Sequence, residues 1–450
     1  MLQKFVASLL INLKHRGLRL KVNELEKSEF WTPIVINEFQ NRKLRNLIIH
    51  AYNQVPYYKF IFESQRLKPS DIQTVNDLYK IPILEKDTIQ KNQPSMISLN
   101  HKSYYTRTTT GSTGVPLCIK YDYNNKLIEI ALMQRFIRSI GKELGAKEIN
   151  LWGRPDRSFS AEVNRVMKKL IYNIDTINAY NLTEEKIYDI LHQLTLNPNI
   201  HLRGFTNVIY LLACKLQEIG TKINVDAVSV TAEKLLRSQR EVIENYLTKN
   251  LYDQYGCGEV NSIAFECCKH EGLHHAFEHS ILELTNKNEQ NDSESGEAVI
   301  TNLDNFLMPL IRYRNGDLIT LAKHKCSCGR SSKLIKSIDG RLYDFIEGAN
   351  GRKIHSAFLD HILVDANILF KYNVKEIRII QTNLDQINIQ YVANEIIPED
   401  EFNEIKHEIN RHLGHMKTTI TKKCKISESI NGKRKFVVPY SDFISNKNIL

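Results

Sequence analysis

The segment DAVSVTAEKLLRSQREVIENYLTKNLYDQYGCGE, residues 226–259, alternates between two kinds of hydrophobic pattern. The apolar run Asp226–Val230 is typical of a buried strand, and the charged stretch Glu233–Leu247 has the spacing of an amphipathic helix. Leu251 and Tyr252 begin a second apolar segment, which leads into a glycine-rich turn. The order strand, helix, strand, loop predicts an α/β fold.

The same alternation continues on both sides of this segment, and no internal repeat interrupts it. The polar residues Asn286–Gly296 predict a loop between strands at Ile281–Leu284 and Ala298–Thr301. Glycine and proline occur mostly singly, as breaks between helical and strand-like segments. The chain therefore has the pattern of a large α/β domain.

The composition changes after about Arg341. Residues 376–381 and 387–391 have strand patterns, and a helix with one apolar face follows them. We predict a large N-terminal α/β domain, residues 1–341, and a small, mobile α+β C-terminal cap domain, residues 342–450.

Length and composition exclude several classes of protein. The chain has 450 residues, of which 42% are hydrophobic and 25% charged, so it is neither disordered as a whole nor built from membrane spans. The net charge of +10 favours anionic partners, and Arg411–Phe436 is a basic segment. A nucleic-acid binder is an alternative, but no helix-turn-helix, finger or RNA-binding motif supports it. We expect no nucleic-acid partner.

The N-terminus and the cysteines bear on location. Eight scattered cysteines are typical of free thiols in a reducing cytoplasm. Near the N-terminus, Phe5, Val6, Leu9, Leu10 and Leu13 share one helical face, with basic residues beyond them. We favour a helix docked on its own domain, while a helix lying at a membrane surface has the same pattern. The predicted location is cytoplasmic, with peripheral membrane contact as the alternative.

The loop Thr108–Pro116, TTTGSTGVP, combines five hydroxyl side chains with two glycines. Unhindered backbone N–H groups and hydroxyl donors suit a polyphosphate. It is not a Walker A loop, because no Gly-Lys-Ser/Thr ending follows. A polar turn between strands is the alternative interpretation.

Two further turns carry residues of the kind that bind nucleotides. In Gln254–Glu259, Tyr255 could stack on a base, and Glu259 could hold a Mg²⁺ ion that bridges phosphates. In Arg312–Asp317, Asp317 follows a glycine and could accept hydrogen bonds from ribose hydroxyls. Taken alone, each of these segments is more typical of an ordinary turn or capped loop, and we would favour that interpretation.

In this order and at these separations, the segments resemble the AMP-forming adenylating superfamily of acyl-CoA synthetases and adenylation domains. The chain is most similar to the phenylacetate-CoA ligase family, and within it to the branch found in capsule and surface-polysaccharide biosynthesis. The resemblance runs from about Tyr52 to Lys435. The supporting stretches are Tyr52–Tyr58 (YNQVPYY), Ser229–Glu233 (SVTAE), Cys267–His274 and Cys326–Arg330 (CSCGR).

The resemblance implies a role for each matching residue. It implies that the phosphate loop comprises Thr109, Thr110, Gly111, Ser112, Thr113 and Gly114, and that the adenine side comprises Ala232, Glu233, Tyr255 and Gly256. Glu259 would be the acid that binds Mg²⁺, and Asp317 the acid that binds the ribose. Arg341 would be the arginine before the hinge, and Lys433 the catalytic lysine. Two positions depart from the family pattern: Gly258 replaces a serine or threonine near the α-phosphate, and Tyr343 replaces an acidic hinge residue.

Cysteine and histidine side chains also form a candidate metal site. Cys267, His274, Cys326 and Cys328 match positions where related ligases keep these residue types, and they could bind a structural Zn²⁺. A set of unligated thiols is the alternative.

The implied activity is ATP-dependent activation of a carboxylic acid to an acyl-adenylate, followed by acyl transfer. ATP and Mg²⁺ are the expected cofactors, and coenzyme A is the expected acceptor. Two alternatives stay open: a ligase that decorates a surface polysaccharide or sugar precursor, and a non-catalytic nucleotide-binding relative acting at the membrane. Trp152, Arg154 and Phe205 are candidates for the acid pocket.

Overall fold

The computed structural model describes most of the chain. The described residues are 2–100, 104–108, 117–152, 159–179, 184–341, 345–348, 352–355, 359, 368–372, 374–426, 436–440 and 443. The fold is mixed α/β, as predicted.

The described helices are α1 Leu2–Lys14, α2 Leu18–Ser28, α3 Pro33–Gln54, α4 Pro56–Ser64, α5 Lys86–Asn92, α6 Tyr123–Ser139, α7 Phe159–Tyr172, α8 Glu184–Leu196, α9 Thr206–Glu218, α10 Arg237–Tyr246, α11 Ile368–Lys371 and α12 Asn403–Leu413. Short 3₁₀ turns lie at Pro69–Asp71, Val75–Lys80 and Glu399–Phe402.

The described strands are β1 Tyr105–Thr108, β2 Cys118–Tyr121, β3 Glu148–Leu151, β4 Ile174–Ile177, β5 His201–Phe205, β6 Ala227–Thr231, β7 Leu251–Tyr255, β8 Ala264–Glu266, β9 Leu273–His275, β10 Ser280–Glu289, β11 Ser293–Asn302, β12 Tyr313–Ala322, β13 Leu334–Arg341, β14 Phe345–Glu347, β15 Lys353–His355, β16 Glu376–Asn383, β17 Gln386–Val392, β18 Lys417–Lys422 and β19 Val437–Val438.

The segment that predicted the fold class forms β6, α10 and β7, in the predicted order. The helix begins at Arg237 rather than Glu233. Ala232 has a left-handed backbone, with φ of 70°, and Leu236 is extended, so the chain turns before the helix starts. In the sequence, the polar residues of this turn continue the amphipathic spacing of the helix, and the helix was therefore predicted to begin too early.

The described chain forms two compact units. The first comprises residues 1–149, 157–176 and 252–338. Within it, neighbouring strands follow the order β10-β11-β12-β13-β9-β8-β7, and β1 and β2 form a separate antiparallel pair. Its core joins α3, α4 and the strands, with Leu44, Ile48 and Ile300 fully buried.

The strands β10 and β11 correct one prediction. The segment Asn286–Gly296 is not a loop, because most of it extends the two strands, and their turn lies at residues 290–292. Asn288 pairs with Ser295, and β11 also pairs with β12 along its length. These ladders satisfy the backbone polar groups, so polar and exposed side chains are compatible with strand.

The second unit comprises residues 150–156, 177–251 and 339–450. In it, β5 and β6 are parallel neighbours beside α9. A four-stranded sheet has the order β18-β17-β16-β19, and the predicted apolar face of α12 is buried against it. The last segment of this unit begins at Asp339, near the predicted boundary after Arg341. The assignment of residues 342–450 to a mobile cap remains a prediction.

The N-terminal segment is a helix, as predicted, but it docks through a different face. Ala7 and Ile11 are buried, and Gly145 lies so close that a β-carbon there would stand 2.6 Å from the carbonyl oxygen of Lys4. Phe5 and Leu9, which we expected on the docked face, are exposed. None of the helices in the described ranges is long and apolar enough to span a membrane.

Candidate functional site

The predicted phosphate loop, Thr109–Gly114, lies outside the described residues, but the strands on either side of it are described. β1 and β2 pair as antiparallel neighbours, with Thr108 opposite Cys118. The described residues on either side of the predicted loop therefore lie close together.

The end of β7 and the start of β12 carry the first pair of predicted nucleotide-binding residues that the structure brings together. Tyr255 is buried, and its hydroxyl donates a hydrogen bond to Asp317 Oδ2 at 2.8 Å. Asn315 Nδ2 donates to the same carboxylate oxygen at 2.6 Å and to the Tyr255 hydroxyl at 2.7 Å. Burial, followed by the charge of Asp317, raises the pKa of Tyr255 well above its ordinary value. The hydroxyl therefore stays a donor and holds the carboxylate in place.

The turn after β7 ends in Glu259, which β12 also contacts. Tyr313 is buried on β12, and its hydroxyl donates to Glu259 Oε1 at 3.0 Å. Burial raises the pKa of Tyr313, so this group too is a permanent donor. Glu259 itself is half-buried, which leaves its carboxylate partly accessible. The strand that carries Asp317 thus fixes both acids of the predicted site.

Gly256 lies where the turn leaves little room for a side chain. A β-carbon at this position would stand 3.0 Å from the backbone nitrogen of Ser262. Its backbone dihedral is not the special feature, since Gly256 is not among the residues with positive φ. Close approach of two backbone segments is what favours glycine here.

Arg107 was not predicted from the sequence and lies at the start of the predicted phosphate loop. Its Nη2 pairs with Glu129 Oε2 at 2.6 Å, and its Nη1 lies 3.4 Å from the carbonyl oxygen of Gly258. The guanidinium therefore links β1 to the turn that carries Glu259. Its only sequence signal is its position two residues before Thr109.

Ala232 and Glu233 belong to the second unit and follow β6. The carboxylate of Glu233 accepts a hydrogen bond from the backbone N–H of Asn207 at 2.9 Å, in the first turn of α9. Its carbonyl oxygen accepts from the Thr206 hydroxyl at 3.0 Å. A carboxylate at a helix N-terminus is stabilised by the helix dipole, so Glu233 ties the β6 turn to α9.

The remaining predicted residues are described only in part. Lys433 and Arg154 lie outside the described residues, as does Tyr343, and of Arg341 only the backbone at the end of β13 is described. In the second unit, the rings of Trp152 and Phe205 stack with centroids 4.3 Å apart.

The four predicted metal ligands converge in the first unit. Their ligand atoms all lie within 4.8 Å of one another, although Cys267 and Cys326 are far apart in sequence. Cys267 follows β8, His274 lies on β9, and Cys326 and Cys328 lie in the loop between β12 and β13. Antiparallel pairing of β8 with β9, and of β9 with β13, brings these segments together.

The distances fit a tetrahedral zinc site. Cys267 Sγ and Cys326 Sγ are 3.7 Å apart, and Cys328 Sγ lies 3.3 Å from His274 Nε2. A Zn–S bond of about 2.3 Å gives an edge of about 3.8 Å between sulfur ligands of a tetrahedron. Ser332 Oγ lies 3.4 Å from His274 Nδ1, which directs the other ring nitrogen toward the thiols.

The protonation of His274 and Cys328 also suits a metal, whereas burial raises the pKa of Cys267 and of Cys326 in the metal-free chain. Burial, together with the charge of Arg330, lowers the pKa of His274 to about 4, so its ring is neutral and able to act as a ligand. Burial opposes ionisation of Cys328, but hydrogen bonds from Arg330 bring its pKa below the ordinary value. The neighbouring Cys268 is exposed and takes no part in the cluster.

Comparison with known proteins identifies relatives, although no protein-family model matches the chain. The chain is 22% identical over 328 residues to a phenylacetate-coenzyme A ligase of Thermus thermophilus, covering 70% of this chain and 73% of that protein. It is 23% identical over 417 residues to Protein CapK of Staphylococcus aureus, covering 89% and 88%.

Among solved structures, a 2-hydroxyisobutyryl-CoA ligase in the postadenylation state superimposes with a TM-score of 0.73 at 15% identity, covering 94% of each chain. This likeness confirms the predicted fold class of a large N-terminal domain and a smaller C-terminal domain. In sequence the chain is thus similar to phenylacetate-coenzyme A ligases and to Protein CapK, the relatives that the sequence analysis predicted, and in fold it is similar to a CoA ligase.

Proposed function

We propose that this protein uses Mg·ATP to convert a carboxylic acid into an acyl-adenylate and then transfers the acyl group to coenzyme A. In the first step a carboxylate oxygen attacks the α-phosphate, and the bond to the pyrophosphate leaving group breaks. In the second step the thiol sulfur attacks the acyl carbon, loses its proton, and AMP leaves. Adenylation makes the second step possible, because AMP is a far better leaving group than the oxygen of a free carboxylate.

The observation that carries this proposal is the pair of acids fixed by β12. Asp317 is held by Tyr255 and Asn315, and Glu259 is held by Tyr313. Asp317 would accept hydrogen bonds from the ribose hydroxyls, and a carboxylate already oriented by neutral donors loses little entropy on binding.

Glu259 is the residue of this turn that would hold Mg²⁺. Its Oε1 accepts from Tyr313, and no other described residue bonds to the carboxylate, which suits a hard cation that prefers oxygen ligands. Bound there, the ion would neutralise phosphate charge. Arg107 would support this end of the site through its contact with Gly258.

Residues 109–114 and Lys433 would act on the phosphates. The loop offers hydroxyl and backbone donors, which hold phosphate oxygens without neutralising them. An ammonium from Lys433 would stabilise the charge that develops as pyrophosphate leaves. Rotation of residues 342–450 between the two steps would move Lys433 away and make room for the second nucleophile.

A second candidate differs only in the acyl acceptor. The similarity to Protein CapK covers 89% of this chain, against 70% for the phenylacetate-coenzyme A ligase. Since the sequence resembles the surface-polysaccharide branch, the acceptor would then be an amine or hydroxyl of a sugar or amino acid. The first step and its residues are the same in both candidates.

We also propose that Cys267, His274, Cys326 and Cys328 bind one structural Zn²⁺. The set has three thiols and one imidazole with no position left for a substrate, which is the pattern of a structural site rather than a catalytic one. The ion would clamp the loop between β12 and β13 to the β8–β9 pair.

A panel of carboxylic acids tests the proposed reaction. Pyrophosphate release is measured with ATP and Mg²⁺ for aryl, hydroxy and amino acids, with and without coenzyme A. We expect one class of acid to release pyrophosphate, and coenzyme A to increase turnover by consuming the adenylate. Adenylate formation without a thioester product, but with acyl transfer to an added amine or sugar, would favour the second candidate. No release with any acid would contradict both.

A further inference from the structure

The helix α1 leaves its most apolar face uncovered. It docks through Ala7 and Ile11, while Phe5, Leu9 and Leu13 are 69%, 52% and 66% exposed. Val6 is exposed beside them. Exposed apolar side chains that occur singly need no explanation, but four on one short helix indicate an interaction surface.

The helix α7, which packs against α1, also leaves apolar side chains exposed. α1 packs against α7, and His15 Nε2, just after α1, lies 2.7 Å from the Tyr172 hydroxyl at the end of α7. Three large apolar side chains of α7 are exposed as well. We call the following set the α1–α7 apolar face: Phe5, Val6, Leu9, Leu13, Val166, Met167 and Leu170.

Basic residues accompany the apolar face. Residues 1–21 contain five Lys or Arg and neither Asp nor Glu. Arg16 and Arg19 are exposed in this segment, and Lys168 and Lys169 are exposed on α7. Some cations of the region are paired, such as Lys169 with Asp175. The excess of positive charge next to an apolar surface is complementary to a layer of anionic headgroups over hydrocarbon.

We propose that the α1–α7 apolar face binds a lipid surface with anionic headgroups, with α1 lying in the plane of that surface. Apolar side chains would enter the boundary between headgroups and acyl chains, and the basic residues would contact the headgroups. A second copy of this chain is a poorer occupant, because a two-fold contact would place the same basic residues against each other. This inference is independent of the proposed reaction.

Vesicle binding tests the proposal. The full-length protein is sedimented with vesicles of phosphatidylcholine containing about 30% phosphatidylglycerol, and with vesicles of phosphatidylcholine alone. We expect at least about tenfold tighter binding to the anionic vesicles at low salt, and weaker binding as salt shortens the range of the charges. The double variant Phe5→Ser/Leu9→Ser should bind anionic vesicles at least about tenfold more weakly.

Matched variants distinguish binding through the α1–α7 apolar face from non-specific hydrophobic binding to vesicles. Phe60→Ser on α4 replaces a phenylalanine that is 66% exposed elsewhere, and it should bind like the unaltered protein. Arg16→Gln/Arg19→Gln should weaken binding to anionic vesicles and leave binding to neutral ones unchanged. Failure to bind anionic vesicles, or equal loss with Phe60→Ser, would overturn the proposal. So would a dimer in solution that Phe5→Ser/Leu9→Ser dissociates, since the occupant would then be a second copy.

Discussion

The hydroxyl of Tyr255 donates a hydrogen bond to Asp317 Oδ2 at 2.8 Å, although 62 residues separate the two in the sequence. The contact joins the turn after β7 to the strand β12. Asn315 bonds to both partners, so three polar groups form one closed set. Since Asp317 and Tyr255 are both buried, the hydrogen bonds among these three groups hold the carboxylate of Asp317 in one position.

Replacing Asp317 with alanine should mainly weaken ATP binding. Each charge-assisted hydrogen bond to a ribose hydroxyl is worth about 1.5–3 kcal/mol, which corresponds to roughly a 10- to 150-fold loss of affinity. The ATP concentration at half-maximal pyrophosphate release reports the loss. Tyr255→Phe is the control: it removes one donor and leaves Asn315 on the carboxylate, so its effect should be smaller. Equal ATP affinity in Asp317→Ala and the unaltered protein would contradict the role.

Glu259→Gln should change the response to Mg²⁺ rather than to ATP alone. The amide keeps a carbonyl oxygen for the Tyr313 hydroxyl but loses the charge that attracts a divalent ion. We expect at least about tenfold more Mg²⁺ to be needed for half-maximal turnover, with a lower maximum. Titration of Mg²⁺ at fixed ATP measures this. An unchanged Mg²⁺ curve would show that the ion binds elsewhere.

Lys433→Ala should abolish adenylate formation and spare ATP binding. A cation that acts only as negative charge develops contributes to the transition state, and its loss should slow the step by at least ~10²-fold. Pyrophosphate release measures the step, and nucleotide binding is followed separately by calorimetry. Lys435→Ala is the matched control, with a nearby basic residue removed. If Lys435→Ala had the larger effect, the assignment would move to that residue.

Protein purified without chelator should contain about one zinc ion per chain, and prolonged chelation should lower its melting temperature by about 5 °C or more. The loop between β12 and β13 would lose its attachment to the β8–β9 pair. Cys328→Ser should reduce the zinc content, whereas Cys268→Ser should leave it unchanged, because Cys268 is exposed and outside the cluster. Elemental analysis decides the matter, and metal-free protein with an unchanged melting temperature would refute the site.

Periodicity was sufficient to predict the elements that bury one face. The strand–helix–strand order of β6, α10 and β7 follows from its apolar spacing, as does α12 with its buried Ile405, Ile409 and Leu413. The β10–β11 ribbon was not predictable in this way. Its outer half has polar side chains on both faces, so its strand structure depends on pairing with β12, which local sequence does not reveal.

The candidate site shows a similar division. Residue types and order pointed to Tyr255, Glu259 and Asp317, but not to the groups that hold them. Tyr313 and Asn315 lie in a segment that the sequence predicted as a turn and that forms the start of β12. Only the fold shows that Tyr313 contacts Glu259 and that Asn315 contacts Asp317. The prediction of which face of α1 docks was wrong for another reason. The small side chain of Ala7 fits against Gly145, where a large side chain would not fit.

His15 lies between α1 and α7, where its surroundings favour the uncharged imidazole. It is 2% exposed, its Nε2 lies 2.7 Å from the Tyr172 hydroxyl, and Nδ1 is buried with no hydrogen-bond partner among the described residues. Burial, followed by the charges of Lys126 and Lys14, lowers its pKa from the ordinary value of 6.5. In the pH range between the lowered pKa and 6.5, the unfolded chain therefore binds more protons at this residue than the folded chain does.

Stability from the neutral His15 is therefore fully present above about pH 6.5 and is lost as the pH falls through the lower folded pKa. We expect the melting temperature of the unaltered protein to fall by about 2 °C more between pH 7.5 and 5.5 than that of His15→Gln, whose amide can bond to Tyr172 but does not titrate. Scanning calorimetry across this range measures the difference. Parallel curves for His15→Gln and the unaltered protein would mean that His15 binds a proton equally well in the folded and unfolded chain.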